Sequence, residues 1–199
     1  QAFSVSPTPD GGYILAGRTR SFGAGGEDMY LIKTDVNGIE QWSQTFGNTE
    51  DDKAEDAIPY NGGYAVVGAY REPGGNPPIL TDLFLVLTDA DGNQTDSLLY
   101  GGDEADEGLA IIETLDGSLA VTGFTENNSD ALLLKIDQDL NIELEESYDG
   151  NGLIDIGNDI VQLADGSYVI AGITELDAAD PDLLLLKVAP DGVEVFENP

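Results

Sequence analysis

The chain of 199 residues has no cysteine and no histidine. Without cysteine there is neither a disulfide framework nor a thiol nucleophile. Without histidine the usual neutral-pH base is missing, so any catalysis would run on carboxylates or metal-assisted hydrolysis. Basic residues are almost as scarce: seven Lys and Arg face 39 Asp and Glu, for a net charge of −32. Phosphate recognition needs clustered cations, which excludes nucleic acid and disfavours anionic membrane surfaces as partners. No heptad, capped helical stretch or apolar run long enough to span a bilayer occurs, so direct membrane insertion is not expected.

What is present is a repeat. Turns beginning at Asp10, Asn61, Asp116 and Asp165 are 51, 55 and 49 residues apart. Each leads to a closing glycine seven residues on, at Gly17, Gly68, Gly123 and Gly172. A second unit runs ten residues from Asp28 to Gly38, Asp82 to Gly92, Asp130 to Leu140 and Asp182 to Gly192. Between the units the gap varies from 7 to 14 residues. Strands hold their length because register fixes it, whereas loops accept insertions.

Periods near 50 with about four strands each predict an all-β protein, a β-propeller of four blades with four antiparallel strands apiece. The chain reads as one domain over 1–199, with repeats at about 1–51, 52–106, 107–155 and 156–199. The alternative is part of a larger or dimeric propeller. Four complete blades with neighbouring ends are the expectation. The dipeptides Asp10-Gly11, Asn61-Gly62, Asp116-Gly117 and Asp165-Gly166 predict type I′ hairpin turns. The second and third strands are nearly wholly apolar, as in YAVVG from Tyr64 and LLLLK from Leu183, and are expected to be covered on both faces. The glycine closing each second strand is read as a point of close approach between blades. Lys33, Lys135 and Lys187 occupy one equivalent position. They predict a repeated internal ion pair or hydrogen bond, with Asp28, Asp130 or Asp182, or with Asp52, Asp106 or Asp155, as the partners to test.

The strings DGGYILAGRT, DMYLIKTDVNG, QWSQTFG and LLYGG resemble the DGGY…LIKTD…WxxTYGG repeats of secreted bacterial and archaeal β-propeller proteins. The resemblance covers the whole chain and fades after the first repeat, where Trp42 gives way to Asp96, Leu144 and Phe196. It implies an extracellular or cell-surface propeller and no single activity, because propellers host many functions. The acid excess adds a habitat: such a surface repels itself in dilute buffer and is screened in strong salt, so a halophilic source is expected.

Candidate binding residues gather on the loops after the second and fourth strands. Arg18, Arg20 and Arg71, with Phe22 and Tyr70, predict recognition of a protein or an acidic carbohydrate. Surface ion pairing with nearby acids is the competing reading of those arginines. Two oxygen-rich loops, Asp89, Asp91 and Asn93, then Asp149, Asn151 and Asp155, are candidate Ca²⁺ sites, and no cofactor is otherwise required. Asn93 and Asn127 lie in glycosylation sequons. The function expected is a non-catalytic extracellular or cell-surface binding or structural module, with a subunit of a surface assembly as one form of it. The alternative is a carbohydrate-active hydrolase using a carboxylate pair, for which Asp56 and Asp159 on first strands are candidates.

Overall fold

The computed structural model describes residues 1–74, 80–102, 104–125, 130–149, 154–175 and 181–198. Four antiparallel sheets, each of four strands in chain order, make up the molecule. Sheet 1 comprises β1 (Ala2–Pro7), β2 (Tyr13–Thr19), β3 (Asp28–Thr34) and β4 (Glu40–Phe46). Sheet 2 comprises β5 (Lys53–Tyr60), β6 (Gly63–Arg71), β7 (Thr81–Thr88) and β8 (Gln94–Tyr100). Sheet 3 comprises β9 (Asp106–Glu113), β10 (Leu119–Thr125), β11 (Asp130–Ile136) and β12 (Ile142–Tyr148). Sheet 4 comprises β13 (Ile154–Gln162), β14 (Tyr168–Glu175), β15 (Pro181–Val188) and β16 (Glu194–Asn198). The chain forms two compact units, Gln1–Gly108 and Leu109–Pro199, with β9 running through the boundary. Among the described residues no helix is long and apolar enough to cross a membrane.

Side chains alternate between two faces of each sheet. In sheet 1 one face carries Ile14, Ala16, Met29, Leu31 and Lys33; the other carries Tyr13, Leu15, Tyr30 and Ile32. We call these the lysine face and the tyrosine face, and the repeat register transfers them to the other sheets. Within the first unit the lysine face of sheet 1 packs on the tyrosine face of sheet 2, through Tyr64, Val66, Phe84 and Val86. Within the second unit Ala120, Ala131 and Leu133 of sheet 3 pack on Tyr168, Ile170, Leu184 and Leu186 of sheet 4 in the same sense. Contrary to the expectation that middle strands are covered on both faces, Tyr13 and Leu183 are exposed. The tyrosine face of sheet 1 and the lysine face of sheet 4 lie open.

Three further expectations are corrected. Only Asn61-Gly62 makes a two-residue turn with both residues at positive φ. At Asp10, Asp116 and Asp165 only the following glycine is left-handed, and the bonds from Gly11 N to Thr8 O and from Thr8 N to Gly12 O, both 2.9 Å, define a three-residue loop. The aspartate keeps ordinary φ because its carboxylate accepts the Gly12 N–H inside the loop, at 3.1 Å.

The repeated lysines bind these turn aspartates rather than the strand-opening ones. Lys33 Nζ lies 2.7 Å from Asp10, Lys135 Nζ 2.6 Å from Asp116 and Lys187 Nζ 3.8 Å from Asp165. The reason is reach: Asp28 opens β3 five residues before Lys33, about 17 Å away at ~3.4 Å per residue. The closing glycines mark approach within a sheet, not between sheets. A β-carbon at Gly17, Gly68 or Gly172 would overlap the carbonyl oxygen of Gln1, Lys53 or Ile156. There the register of the first strand shifts, as between Ala54 and Asp56, and presses a bulge against the second strand.

Candidate active site

The loops after the second and fourth strands of sheets 1 and 2 share one end of the first unit, and Arg18, Arg20 and Arg71 lie at that end. Both Arg18 and Arg20 bind Glu27, at 2.5 and 2.8 Å, and the Arg18 guanidinium sits 5.5 Å over the Phe3 ring. Arg71 reaches Asp51 at 3.5 Å. Phe22 is exposed and stacks on Tyr30 with centroids 5.9 Å apart. Tyr70 packs edge-on against Phe84 at 5.3 Å. An anion arriving here would have to displace Glu27 or Asp51 from the arginines.

The same end holds a feature missed by the sequence reading, which treated these acids only as lysine partners. In the first unit the strand-opening aspartates of the third strands lie beside the aspartates that precede or begin the next sheet, Asp28 by Asp52 and Asp82 by Asp106. Asp28 and Asp52 are both buried. Asp28 accepts the Ala24 N–H at 3.0 Å. Asp52 accepts from Asn48 N and Arg71 N at 2.6 and 2.7 Å. Burial raises the Asp52 carboxyl pKa, and the neighbouring charges of Asp28 and Asp51 add to it. These two clamp loops. In the second unit Asp130 and Asp155 are likewise buried.

The pair at the end of sheet 2 differs. Oxygens of Asp82 and Asp106 both lie within 3.0 Å of the point a Gly101 β-carbon would occupy, so one small cradle holds both. Asp106 is buried, but Asp82 is only half-buried. Burial, then the charge of Glu72, raises the Asp82 carboxyl above its usual range. Tyr70 stands directly opposite Asp82 across β6 and β7, placing a ring on the same face. Glu107 is fixed nearby by Lys53 at 2.7 Å and by the Thr81 hydroxyl at 3.3 Å. Lys53 also binds Glu55 at 2.9 Å; burial opposes its charge, yet the two carboxylates outweigh that and raise its pKa. The recurrence of Asp at equivalent positions was the signal in the sequence.

The other candidates fall elsewhere. Asp56 and Asp159 lie in different units. Each accepts the N–H of the next residue, Ala57 at 2.8 Å and Ile160 at 2.9 Å, beside its bulge, and Asp56 also accepts from the Ser4 hydroxyl. Asp89 spends its carboxylate inside its own turn, accepting from Asp91 N and Asn93 N at 2.9 Å and from Asn93 Nδ2 at 2.9 Å. Asp137 does the same with Asp139 and Asn141, so this wiring belongs to the hairpin. Asn127 and Asn151 lie outside the described residues, Asp149 precedes an undescribed stretch, and Asp155 is buried. Among the described residues no group of three or more acidic side chains is arranged to hold a metal ion. An open hollow of about 270 Å³ at the hairpin end of sheet 2, lined by Tyr60, Tyr64, Thr88 and Asp89, contains no carboxylate pair.

No protein-family model matches the chain. No curated protein sequence matches it. Among solved structures it is similar to an exo-β-1,3-galactanase from Phanerochaete chrysosporium, seen with β-1,3-galactotriose, at 11% identity and a TM-score of 0.59. The match covers 99% of this chain and 49% of the galactanase. A GDP-Man-dependent mannosyltransferase from Leishmania mexicana aligns at 16% identity over 90% of this chain and 61% of its own, with a TM-score of 0.46. The chain thus spans about half the length of the galactanase and under two thirds of the transferase. The galactanase likeness shows a shared fold. The expectation of a non-catalytic structural or protein-binding module is corrected accordingly: the chain aligns over 99% of its length with a glycosidase, and the buried aspartates Asp28, Asp52 and Asp106 stand at the loop end of the first unit's sheets.

Proposed function

We propose that this chain is a carbohydrate-active hydrolase on a β-propeller scaffold, with Asp82 as proton donor and Asp106 as its charged partner. The observation that carries the proposal is the contrast among the acid pairs. Asp28, Asp52, Asp130 and Asp155 are all buried, whereas Asp82 combines solvent access with a raised carboxyl. Two carboxyls no farther apart than the ~5.5 Å of a retaining pair suit double displacement. Asp82 donates its proton to the glycosidic oxygen as that bond breaks, and an Asp106 oxygen bonds to the anomeric carbon. Water then attacks that carbon, gives its proton to Asp82 and releases Asp106. The Tyr70 ring supplies an apolar wall for a sugar face.

A neutral sugar suits the site better than an acidic one. Arg18, Arg20 and Arg71 are already matched by Glu27 and Asp51, and the surrounding acids repel a uronate. The repeat resemblance and the acid excess support a secreted or cell-surface location. The first substrate to try is β-1,3-galactotriose, followed by other neutral β-linked oligosaccharides. Monosaccharide release is expected, falling at least ~100-fold in Asp82→Asn with folding intact, and declining as pH rises through the Asp82 pKa. A wild-type chain inert toward all these sugars, or an Asp82→Asn variant as active as wild type, overturns the proposal.

A further inference from the structure

The two open sheet faces are halves of the kind of interface found inside each unit. Leu183 on the lysine face of sheet 4 is 66% exposed, whereas its equivalents Met29, Leu83 and Ala131 are fully buried. Ile173 on the same face is exposed as well. On the tyrosine face of sheet 1, Val5 is 61% exposed, while its equivalents Ala57 and Ile160 are buried. Tyr13 is 40% exposed, against 7% for Tyr64 and 1% for Tyr168.

The open faces are of opposite kind, one lysine and one tyrosine, and these are the kinds that pack on each other inside each unit. The aromatic detail matches too. Trp42, opposite Lys33 on β4, meets the Tyr64 ring edge-on at 5.5 Å. Phe196 stands opposite Lys187 in the Trp42 position and is exposed, while Tyr13 is the equivalent of Tyr64.

We infer that the lysine face of sheet 4 is the docking site for the tyrosine face of sheet 1 in a second copy of this chain, a head-to-tail contact in which Phe196 meets Tyr13 as Trp42 meets Tyr64. Apolar burial drives the contact and the net charge of −32 on each copy opposes it. Association therefore strengthens with salt.

The test is molar mass by light scattering across a concentration series, in dilute buffer and in molar sodium chloride. Wild type is expected to reach at least twice the monomer mass in salt. Leu183→Glu blocks one face and Val5→Glu the other, so each variant alone should be monomeric with an unchanged melting temperature. An equal mixture of the two should regain a dimer, because each supplies the face the other lacks. A wild type that stays monomeric throughout, variants that still self-associate, or a mixture that does not pair overturns the inference. Unfolding of either variant would also sink it, since the mutated side chain would then not be free on the surface.

Discussion

Lys33 is buried, and its ammonium donates to Asp10 at 2.7 Å, to the Thr34 carbonyl at 2.8 Å and to Gln41 Oε1 at 3.0 Å. The second repeat has lost both ends of this bond together, with Asn61 for the aspartate and Leu87 for the lysine. Lys33→Leu alone should cost about 1–3 kcal/mol by stranding its acceptors. Adding Asp10→Asn should cost less than it does in wild type, and a double-mutant cycle by denaturant titration reads that coupling. Lysine bonding holds the Asp10 and Asp116 carboxyls well below the usual range. Their contribution is therefore present above the unfolded carboxylate pKa and lost as pH falls below it. The raised Asp82 acts in the opposite sense, with its contribution lost as pH rises through its folded pKa. Among the described residues Leu140 is the one most at odds with its backbone: its φ is +62° where the equivalent Gly38 has +77°. Leu140→Gly should stabilise the second unit by about 0.5–1 kcal/mol, raising the melting temperature by a few degrees; a fall would show that the side chain contributes more than the strain costs.

At the scale of strands and turns, register explains what could be read in advance. All sixteen strands follow the repeat spacing, because an apolar run between two turns has one way to pair without exposing its core face. The turn geometry was harder to read. Asp-Gly and Asn-Gly look alike as dipeptides, yet the aspartate bonds within its loop and takes three residues where Asn61 takes two. The bulge behind Gly68 left only the glycine as a trace. Gly68→Ala would drive a β-carbon into the Lys53 carbonyl and should cost about 1–3 kcal/mol, measurable as a shifted denaturant midpoint with an unchanged slope. If the cost is negligible, the bulge yields and does not set the register. The acid pairs were legible only as recurring letters. Asp28 and Asp82 occupy the same repeat position, yet one is buried and the other half-buried, a difference that the recurring letter does not carry.

At the scale of the whole molecule, charge dominates. Thirty-nine acids and seven bases share 199 residues, and the described ion pairs neutralise only a few of the acids. The remaining charges repel over a compact surface and gain distance on unfolding, so repulsion favours the unfolded chain. The Debye length falls from about 10 Å at 0.1 M to about 3 Å at 1 M salt, which removes this penalty and leaves apolar burial intact. The melting temperature should therefore climb steadily from dilute buffer to molar sodium chloride, beyond the concentration that screens an ordinary protein. Calcium separates screening from binding. The Asp89 and Asp137 carboxylates are already engaged within their turns, so millimolar calcium should do little more than sodium at equal ionic strength. A large rise with calcium alone would restore the oxygen-rich loops as metal sites, and a melting temperature indifferent to salt would remove the argument for a salt-adapted surface.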